Sequence, residues 1–256
     1  AVLSLPRATA GQGVATHSSG NHAAALALAA ASAGRPAHVV MPESTPAVKV
    51  AAVRGYGAEV IFCAPTLAAR EAALAELVER TGVIFIPPYD HPDIIAGQGT
   101  CALEIAEQCE TAPDVLITPV GGGGLLAGCA VAARALLPGT EIVGAEPSGA
   151  DDAARSLASG ERLGQPAPDT IADGLRGALG QHNFEIIRQQ VDAILTVPDS
   201  LIVEAMRLLW SRTKLVVEAS AAVPLAVMLA HPERFAGRRV VMVLSGGNVD
   251  LDQLPW

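Results

Sequence analysis

Short apolar runs alternate with longer amphipathic segments along almost the whole chain. The runs predict seven strands, at residues 37–41, 59–64, 83–87, 115–120, 141–145, 193–197 and 239–244. The longer segments predict seven helices, at residues 21–33, 46–54, 66–80, 94–108, 125–136, 200–214 and 220–229. Because most runs are apolar on both faces and helices separate them, the pattern predicts parallel sheets flanked by helices, an α/β fold.

The least regular part of the chain is residues 151–180, which are rich in Gly, Pro, Asp and Ala. We expect this segment to run over the surface without regular structure. In open α/β sheets, ligands bind at the carboxyl ends of the strands. The loops that directly follow each predicted strand are therefore the places to look for chemistry.

Composition narrows the function further. The chain has 256 residues, enough for one large domain or two small ones, and 50% hydrophobic residues exclude intrinsic disorder. A net charge of −9 disfavours binding to nucleic acid or an anionic membrane, and no apolar run is long enough to cross a bilayer. Four cysteines without a CxxC pair predict free thiols in a reducing compartment and disfavour a zinc site.

The strongest local motif is Val-Gly-Gly-Gly-Gly-Leu-Leu-Ala-Gly at residues 120–128, between an apolar strand and an apolar helix. Consecutive glycines allow backbone N–H groups to converge, and the helix N-terminus adds partial positive charge. We therefore favour a phosphate site over a flexible connection. The motif is neither a P-loop nor a Gly-x-Gly-x-x-Gly dinucleotide fingerprint.

Three further loops carry polar side chains. The stretch Thr-His-Ser-Ser-Gly-Asn-His at residues 16–22 contains more polar groups than one helix cap needs, which favours recognition of a small carboxylate. Residues 245–250 are either a turn after the last strand or part of a site at its carboxyl end. The acidic side chains of residues 146–152 are either solvated or ligands of a hard cation.

Taken together, these motifs and the block Ala-Gly-Gln-Gly-Thr at residues 96–100 resemble the fold-type II pyridoxal-phosphate enzymes. Within them the chain is similar to serine racemases and serine/threonine dehydratases, from about Val14 to Asp250. The resemblance implies a two-domain, tryptophan synthase β-like fold with the cofactor in the cleft. The small domain would be residues 11–87, and the large domain residues 88–256 together with residues 1–10.

The resemblance also implies roles for individual residues. Asn21 would bond the pyridoxal 3′-oxygen, and Ser245 would meet the pyridine nitrogen, leaving it neutral, which suits β-elimination. Ser19 would be the acid/base opposite the lysine face. The cofactor phosphate would be held by Gly121, Gly122, Gly123, Gly124 and the Leu125 amide; the substrate would meet Ser18, Ser19, His22 and Arg70; and a divalent cation (Mg²⁺, Mn²⁺ or Ca²⁺) would bind Glu146, the Ala150 carbonyl and Asp152.

The sequence departs from the family pattern in several places. The family's Schiff-base lysine lies in a Ser-x-Lys-x-Arg-Gly motif, and neither Lys49 nor Lys214 has that context. We therefore expect a fragment that begins just after the lysine and is inactive and unstable as it stands. The residues that match the ATP site of mammalian serine racemases are Tyr56, Lys214 and Asn248, whereas Ala24 replaces a Gln there.

The predicted activity is elimination of water from L-serine or L-threonine, which gives a 2-oxo acid and ammonia, with serine racemisation at the same site. Gly177 replaces a Ser and Tyr89 an Asn of the racemase pattern, which favours a dehydratase; hydroxyaspartate is a further possible substrate. The family implies a cytoplasmic homodimer. Two alternatives remain open, a β-replacement enzyme of the same fold and a non-catalytic module that binds the cofactor or an amino acid.

Overall fold

The computed structural model describes residues 1–165 and 167–256, without the side chains of residues 7 and 10. The chain divides into two compact units, Ala1–Pro88 (unit 1) and Tyr89–Trp256 (unit 2). Each unit contains its own four-stranded parallel sheet. The α/β architecture with parallel sheets flanked by helices is therefore confirmed, whereas the limits of the two domains in the natural protein, including the place of residues 1–10, stay a prediction.

Unit 1 has the strand order β3-β2-β1-β4. Its strands are β1 (Val14–His17), β2 (Ala37–Pro42), β3 (Glu59–Cys63) and β4 (Ile84–Phe85), and its helices are α1 (Asn21–Ser32), α2 (Ala47–Gly55) and α3 (Leu67–Thr81). The apolar pattern did not predict β1, because its four residues Val-Ala-Thr-His are too few and too mixed to stand out. It is nevertheless a central strand, with Val14, Ala15 and Thr16 fully buried.

Unit 2 has the strand order β7-β6-β5-β8. Its strands are β5 (Val115–Pro119), β6 (Glu141–Pro147), β7 (Ala193–Val197) and β8 (Val240–Met242). Its helices are α4 (Pro92–Gln108), α5 (Gly124–Leu136), α6 (Asp152–Ser159), α7 (Gln181–Gln190), α8 (Asp199–Thr213), α9 (Ala219–Ala230) and α10 (Pro232–Phe235). Short 3₁₀ turns at Val2–Ser4, Arg7–Gln12 and Asp173–Leu175 complete the described elements.

Strand β5 is buried on both faces, which explains its continuous apolar run. Val115 and Ile117 belong to the core that α8 and α9 cover, and Leu116 belongs to the core that α5 covers. Successive side chains of a strand point to opposite faces, so a strand covered by helices on both sides needs apolar residues at every position. The tetraglycine motif therefore begins at the end of the best-buried strand of unit 2.

Residues 151–180 were wrongly predicted to be an irregular surface segment. They contain α6 and a 3₁₀ turn, and Ser156, Leu175 and Leu179 are buried. The polar α7 that follows was also not predicted. The two helices are short, with eight and ten residues, and each packs its few apolar side chains against other elements of unit 2.

The predictions on cysteines and membrane segments can be compared with the same structure. Cys63, Cys101, Cys109 and Cys129 are free thiols, as predicted. Within the described parts of the chain, no helix is long and apolar enough to cross a bilayer.

Candidate active site

Two of the predicted site loops leave their sheets where the strand order reverses. In unit 1 the chain passes from β1 to β2 on one side, while β4 pairs with the other side of β1. In unit 2, β5 is followed by β6 on one side and paired with β8 on the other. Crevices outside the carboxyl ends of strands at such switch points are the usual ligand sites of open α/β sheets. The loops after β1 and β5 thus occupy the positions that topology favours.

The loop after β5 presents a run of free backbone donors. The amides of Gly121, Gly122, Gly123, Gly124 and Leu125 donate no hydrogen bond to any residue that the structure describes. Gly123 is the N-cap of α5 and has φ of +89°, in the left-handed region that favours glycine. The helix adds partial positive charge at this end. An anion with several oxygen acceptors, such as a phosphate monoester, fits this set of donors.

The same loop is tightly packed on its protein side. A Cβ added to Gly122 would lie 2.3 Å from Cγ of Tyr89, and one added to Gly121 would lie 2.9 Å from Cα of Leu175. At Gly123 it would lie 2.6 Å from Cδ1 of Leu179. Because these glycines have no side chain, the loop backbone packs directly against the residues around it. The loop is therefore a packed turn rather than a flexible connection.

Ser245 follows the strand next to the tetraglycine loop. The amide of Val243 still donates to the Ile117 carbonyl at 2.9 Å, which continues the pairing of β8 with β5 past Met242. Because β5 and β8 are parallel neighbours, their carboxyl ends lie at the same edge of the sheet. The structure therefore brings the predicted Ser245 loop and the predicted phosphate loop to one edge of unit 2.

The polar loop after β1 does not serve as a helix cap. The N-cap residue of α1 is Gly20, which has no side chain and makes no side-chain cap hydrogen bond. The Ser18 hydroxyl instead accepts from the Gly20 amide at 3.3 Å. Ser19 and His22 are half-buried and Asn21 is exposed. The structure thus removes the simplest alternative explanation for this cluster of polar residues.

Three ring or guanidinium nitrogens near this loop are buried without a hydrogen-bond partner among the described residues, namely His17 Nδ1, His22 Nε2 and Arg70 Nε. Arg70 lies in the first turn of α3. Burial lowers the pKa of His17, and the positive charge of Arg70 lowers it further. The His17 ring stacks on Phe85 with centroids 5.6 Å apart. An unpaired buried donor costs stability, so the Arg70 guanidinium favours an anionic ligand that would satisfy it.

Burial of His22 makes the stability of the protein depend on pH. Burial lowers the pKa of His22 from 6.5 to about 4. Between pH 6.5 and pH 4 the His22 side chain is protonated in the unfolded state and neutral in the folded state. The free energy of unfolding therefore falls as the pH is lowered through this range, by about 3 kcal/mol at most. We expect His22→Asn to remove this part of the acid sensitivity, measured as the difference between the two urea-unfolding pH profiles. Parallel profiles for both proteins would contradict it.

The predicted cation ligands lie at the end of β6 and the start of α6. Glu146 is fully buried, and its carboxylate oxygens accept the Ala153 amide at 3.1 Å and the Ala154 amide at 2.8 Å. Burial raises the pKa of Glu146 to about 8. Asp152 is also fully buried; its Oδ2 accepts the Leu179 amide at 2.8 Å, and its Oδ1 has no partner among the described residues. Ala150 is fully buried beside them in the chain.

The residues described do not include a group of three or more His, Cys, Asp or Glu side chains that could hold a metal ion. The candidate site therefore consists of two carboxylates and a backbone carbonyl. This donor set suits a hard cation that completes its coordination with further oxygens. The cation site stays a prediction.

The two lysines lie outside the loops after β1 and β5. Lys49 is on α2 and its side chain is buried, whereas Lys214 follows α8 with φ of +62° and is exposed. Tyr56, a predicted nucleotide contact, ends α2 with an exposed side chain. The structure does not test the predicted ATP contacts Tyr56, Lys214 and Asn248.

The whole chain can be compared with models of known protein families. Residues 1–246 match the family described as "Pyridoxal-phosphate dependent enzyme". The chain belongs to this family. The match agrees with the free donors after β5, because the cofactor that gives the family its name carries a phosphate.

Several relatives are similar to the chain over almost its whole length. The β-hydroxyaspartate dehydratase of Paracoccus denitrificans (strain Pd 1222) is 46% identical over 256 residues, which are 100% of this chain and 81% of the relative. The serine racemase of Arabidopsis thaliana is 44% identical, over 99% of this chain and 78% of the relative. The sequence resemblance to serine racemases is therefore confirmed.

Solved structures give the same result for the fold. Maize serine racemase superposes with a TM-score of 0.94 at 41% identity, over 98% of this chain and 78% of the neighbour. The serine racemase of Dictyostelium discoideum superposes with a TM-score of 0.90 at 44% identity, over 98% of this chain and 81% of the neighbour. The prediction of a fold-type II architecture is confirmed.

Two residues next to the candidate phosphate loop, residues 121–125, were not predicted. Asn183 Nδ2 donates to the Gly122 carbonyl at 2.6 Å, and the Asp90 carboxylate accepts amides at the start of α7. These partners are 61 and about 90 positions apart in the chain. No local sequence motif could have identified such contacts.

Proposed function

We propose that the protein is a pyridoxal-phosphate-dependent lyase that eliminates water from small 3-hydroxy amino acids and also racemises serine. Elimination gives a 2-oxo acid and ammonia. The observation that carries this proposal is the set of free amides from Gly121 to Leu125 at the switch point of unit 2, with Ser245 in the segment that follows the neighbouring strand β8. The family match and the names of the relatives support the same interpretation.

The proposed roles follow from the donors and acceptors of each loop. The amides after β5 would hold the phosphate, the Ser245 hydroxyl would donate to the neutral ring nitrogen, and Asn21 would bond the 3′-oxygen of the ring. When bound, pyridoxal phosphate supplies an electron sink that acidifies the α-proton of the substrate. Ser18 and His22 would orient the substrate carboxylate, and the Ser19 hydroxyl would exchange a proton at the substrate Cα.

The substrate class includes a dicarboxylic amino acid beside serine and threonine. The guanidinium of Arg70, whose Nε is buried without a partner among the described residues, is a charged donor that could pair with a second substrate carboxylate. Relatives named for hydroxyaspartate and for serine are similar to the chain at nearly equal identity. We therefore propose 3-hydroxyaspartate as a substrate together with L-serine and L-threonine.

The proposal is tested with the full-length protein and pyridoxal phosphate. L-serine, L-threonine and 3-hydroxyaspartate are supplied separately, and 2-oxo acid, ammonia and D-serine are measured. We expect equal amounts of 2-oxo acid and ammonia from at least one substrate. A β-replacement enzyme would instead make cysteine from O-acetylserine and sulfide faster than pyruvate from serine. Binding without any turnover would identify a non-catalytic module.

A Schiff-base lysine is required for turnover by this route. Because Lys49 and Lys214 lie outside the loops after β1 and β5, we propose that residues 1–256 alone are inactive. An assay of that polypeptide beside the full-length protein tests this, and equal turnover by both would contradict it.

We also propose a divalent cation at Glu146, the Ala150 carbonyl and Asp152, which would neutralise two buried carboxylates. Mg²⁺, Mn²⁺ or Ca²⁺ at a hundred times its dissociation constant should then stabilise the protein by about 2.7 kcal/mol. Asp152→Asn keeps an oxygen for the Leu179 amide and removes the charge, so it should abolish this stabilisation in thermal unfolding.

Asp151→Asn is the matched control for the cation prediction. Asp151 pairs with Arg155 at 2.7 Å on the surface and is not a proposed ligand. The cation should stabilise this variant as much as the wild type. An equal loss in both variants would point to nonspecific charge screening and contradict the site.

Two proposals concern assembly and regulation. We propose a homodimer, tested by sedimentation of the full-length protein. ATP as an activator, through Tyr56, Lys214 and Asn248, is tested by measuring elimination with and without the nucleotide.

A further inference from the structure

The phosphate loop is held by a hydrogen-bonded support that belongs entirely to unit 2. The Gly122 carbonyl accepts two hydrogen bonds, from the Gly180 amide at 3.0 Å and from Asn183 Nδ2 at 2.6 Å. Both donors lie at the start of α7. The carbonyl is therefore fixed in direction by an element distant from the loop in sequence.

Fixing that carbonyl also fixes one donor of the loop. The Gly122 carbonyl and the Gly123 N–H belong to the same peptide group, which is planar and trans. In a trans peptide the C=O and N–H bonds point in opposite directions. Holding the Gly122 oxygen toward α7 therefore turns the Gly123 N–H away from α7, and this N–H is one of the free donors of the loop.

The orientation of the Asn183 amide is set by its surroundings. The side chain is fully buried, and its Nδ2 faces two carbonyl oxygens, of Gly122 at 2.6 Å and of Tyr89 at 3.4 Å. With the amide reversed, Oδ1 would face both oxygens and repel them. In the observed orientation Oδ1 is buried without a hydrogen-bond partner among the described residues. The Asn183 side chain is therefore held with its acceptor unpaired and its Nδ2 donating to the loop.

The position of Asn183 is fixed in turn by Asp90. The Asp90 carboxylate accepts the Gln181 and His182 amides, each at 2.9 Å, and the Asn183 amide at 3.3 Å. These are the first three amides of α7, which has no cap from its own flanking residue. A charged cap of this kind sets both the start of the helix and the direction of its first side chains.

From these contacts we infer that Asn183 is a positioning residue for the cofactor phosphate, which it serves by aiming the Gly123 N–H through the Gly122 carbonyl. This inference rests on the proposed function. It adds a residue that does not touch the phosphate and that lies about 60 positions beyond the loop in the chain.

The test compares two ligands that differ only in the phosphate. In the full-length protein, the dissociation constants of pyridoxal 5′-phosphate and of pyridoxal are measured by absorbance titration for wild type and Asn183→Leu, which keeps the volume and removes the donor. We expect the constant for pyridoxal 5′-phosphate to rise about tenfold or more, since bonds to charged groups are strong, and the constant for pyridoxal to stay unchanged. Gln189→Leu, at an exposed position of the same helix, should change neither.

Three other outcomes would contradict the inference. Equal weakening of both ligands would show a structural role only and overturn the inference, as would unchanged binding of pyridoxal 5′-phosphate. Failure of the wild type to bind pyridoxal 5′-phosphate would overturn the proposed function and the inference with it. If Asn183→Leu does not fold, Asn183→Ala replaces it, because the alanine methyl group removes the donor and adds no bulk beside Gly122.

Discussion

Ser19→Ala should lower serine racemisation about a hundredfold or more while leaving elimination of water much less affected. Racemisation needs a proton delivered to Cα from the face opposite the one that lost it. Elimination needs only the loss of a proton and of the hydroxyl group. If Ser19 supplies the proton on that second face, its hydroxyl is essential to the first reaction alone. The ratio of D-serine to pyruvate formed from L-serine measures the effect.

Ser18→Ala is the control for this prediction. Its hydroxyl accepts a hydrogen bond from the Gly20 amide within the same loop, so the substitution disturbs the loop without removing the proposed acid. We expect both reactions of this variant to fall by the same factor. If Ser19→Ala also lowered both reactions equally, Ser19 would be a group that binds the substrate and not one that transfers a proton.

Gly128→Ala should lower the free energy of unfolding by about 3 kcal/mol, the upper end of the range for overpacking. Gly128 is fully enclosed where α5 crosses α4. A Cβ at this position would lie 2.3 Å from the Ile95 carbonyl oxygen and 2.6 Å from the Gly99 amide nitrogen. Both are backbone atoms of a helix and cannot rotate away, so the two helices must separate. Urea unfolding with an unchanged slope measures the loss.

Gly97→Ala is the matched control on α4. A Cβ there would meet nothing within 4 Å, and the position is exposed. Alanine is favoured over glycine in a helix by about 1 kcal/mol, so this variant should be slightly more stable than the wild type. Equal stability of the two variants would contradict the assigned contact between α4 and α5.

Much of the secondary structure could be predicted because its signals are local. The predicted strand 193–197 coincides with β7, and the predicted helix 66–80 differs from α3 by one residue at each end. Strand β1 and the helices α6 and α7 were not predicted, because their local signals are weak. Strand β1 is only four residues long, and its polar Thr16 is fully buried, so its environment and not its composition makes it a strand. Helices α6 and α7 are stabilised by partners far away in the chain.

The candidate site divides in the same way. The tetraglycine motif indicated a phosphate loop because an apolar run, four glycines and an apolar helical pattern follow one another directly in the chain. The loop at residues 16–22 and Ser245 could be identified by the same kind of local signal. Asn183 and Asp90 could not, because each acts on a backbone group about 60 or 90 positions away. Contacts between residues so far apart in the chain cannot be recognised from the pattern of a single sequence.

By itself, the sequence determined the α/β class and the candidate loops, which depend on the residues within one strand, one turn and the start of one helix, and it determined the family through the order of several such motifs along the chain. Only the tertiary structure decided that β5 lies between β6 and β8, which puts the phosphate loop and Ser245 at one edge. It also decided which way the Gly122 carbonyl points. Both depend on which distant segments pack together, and that is set by burial of the whole chain and not by any local pattern.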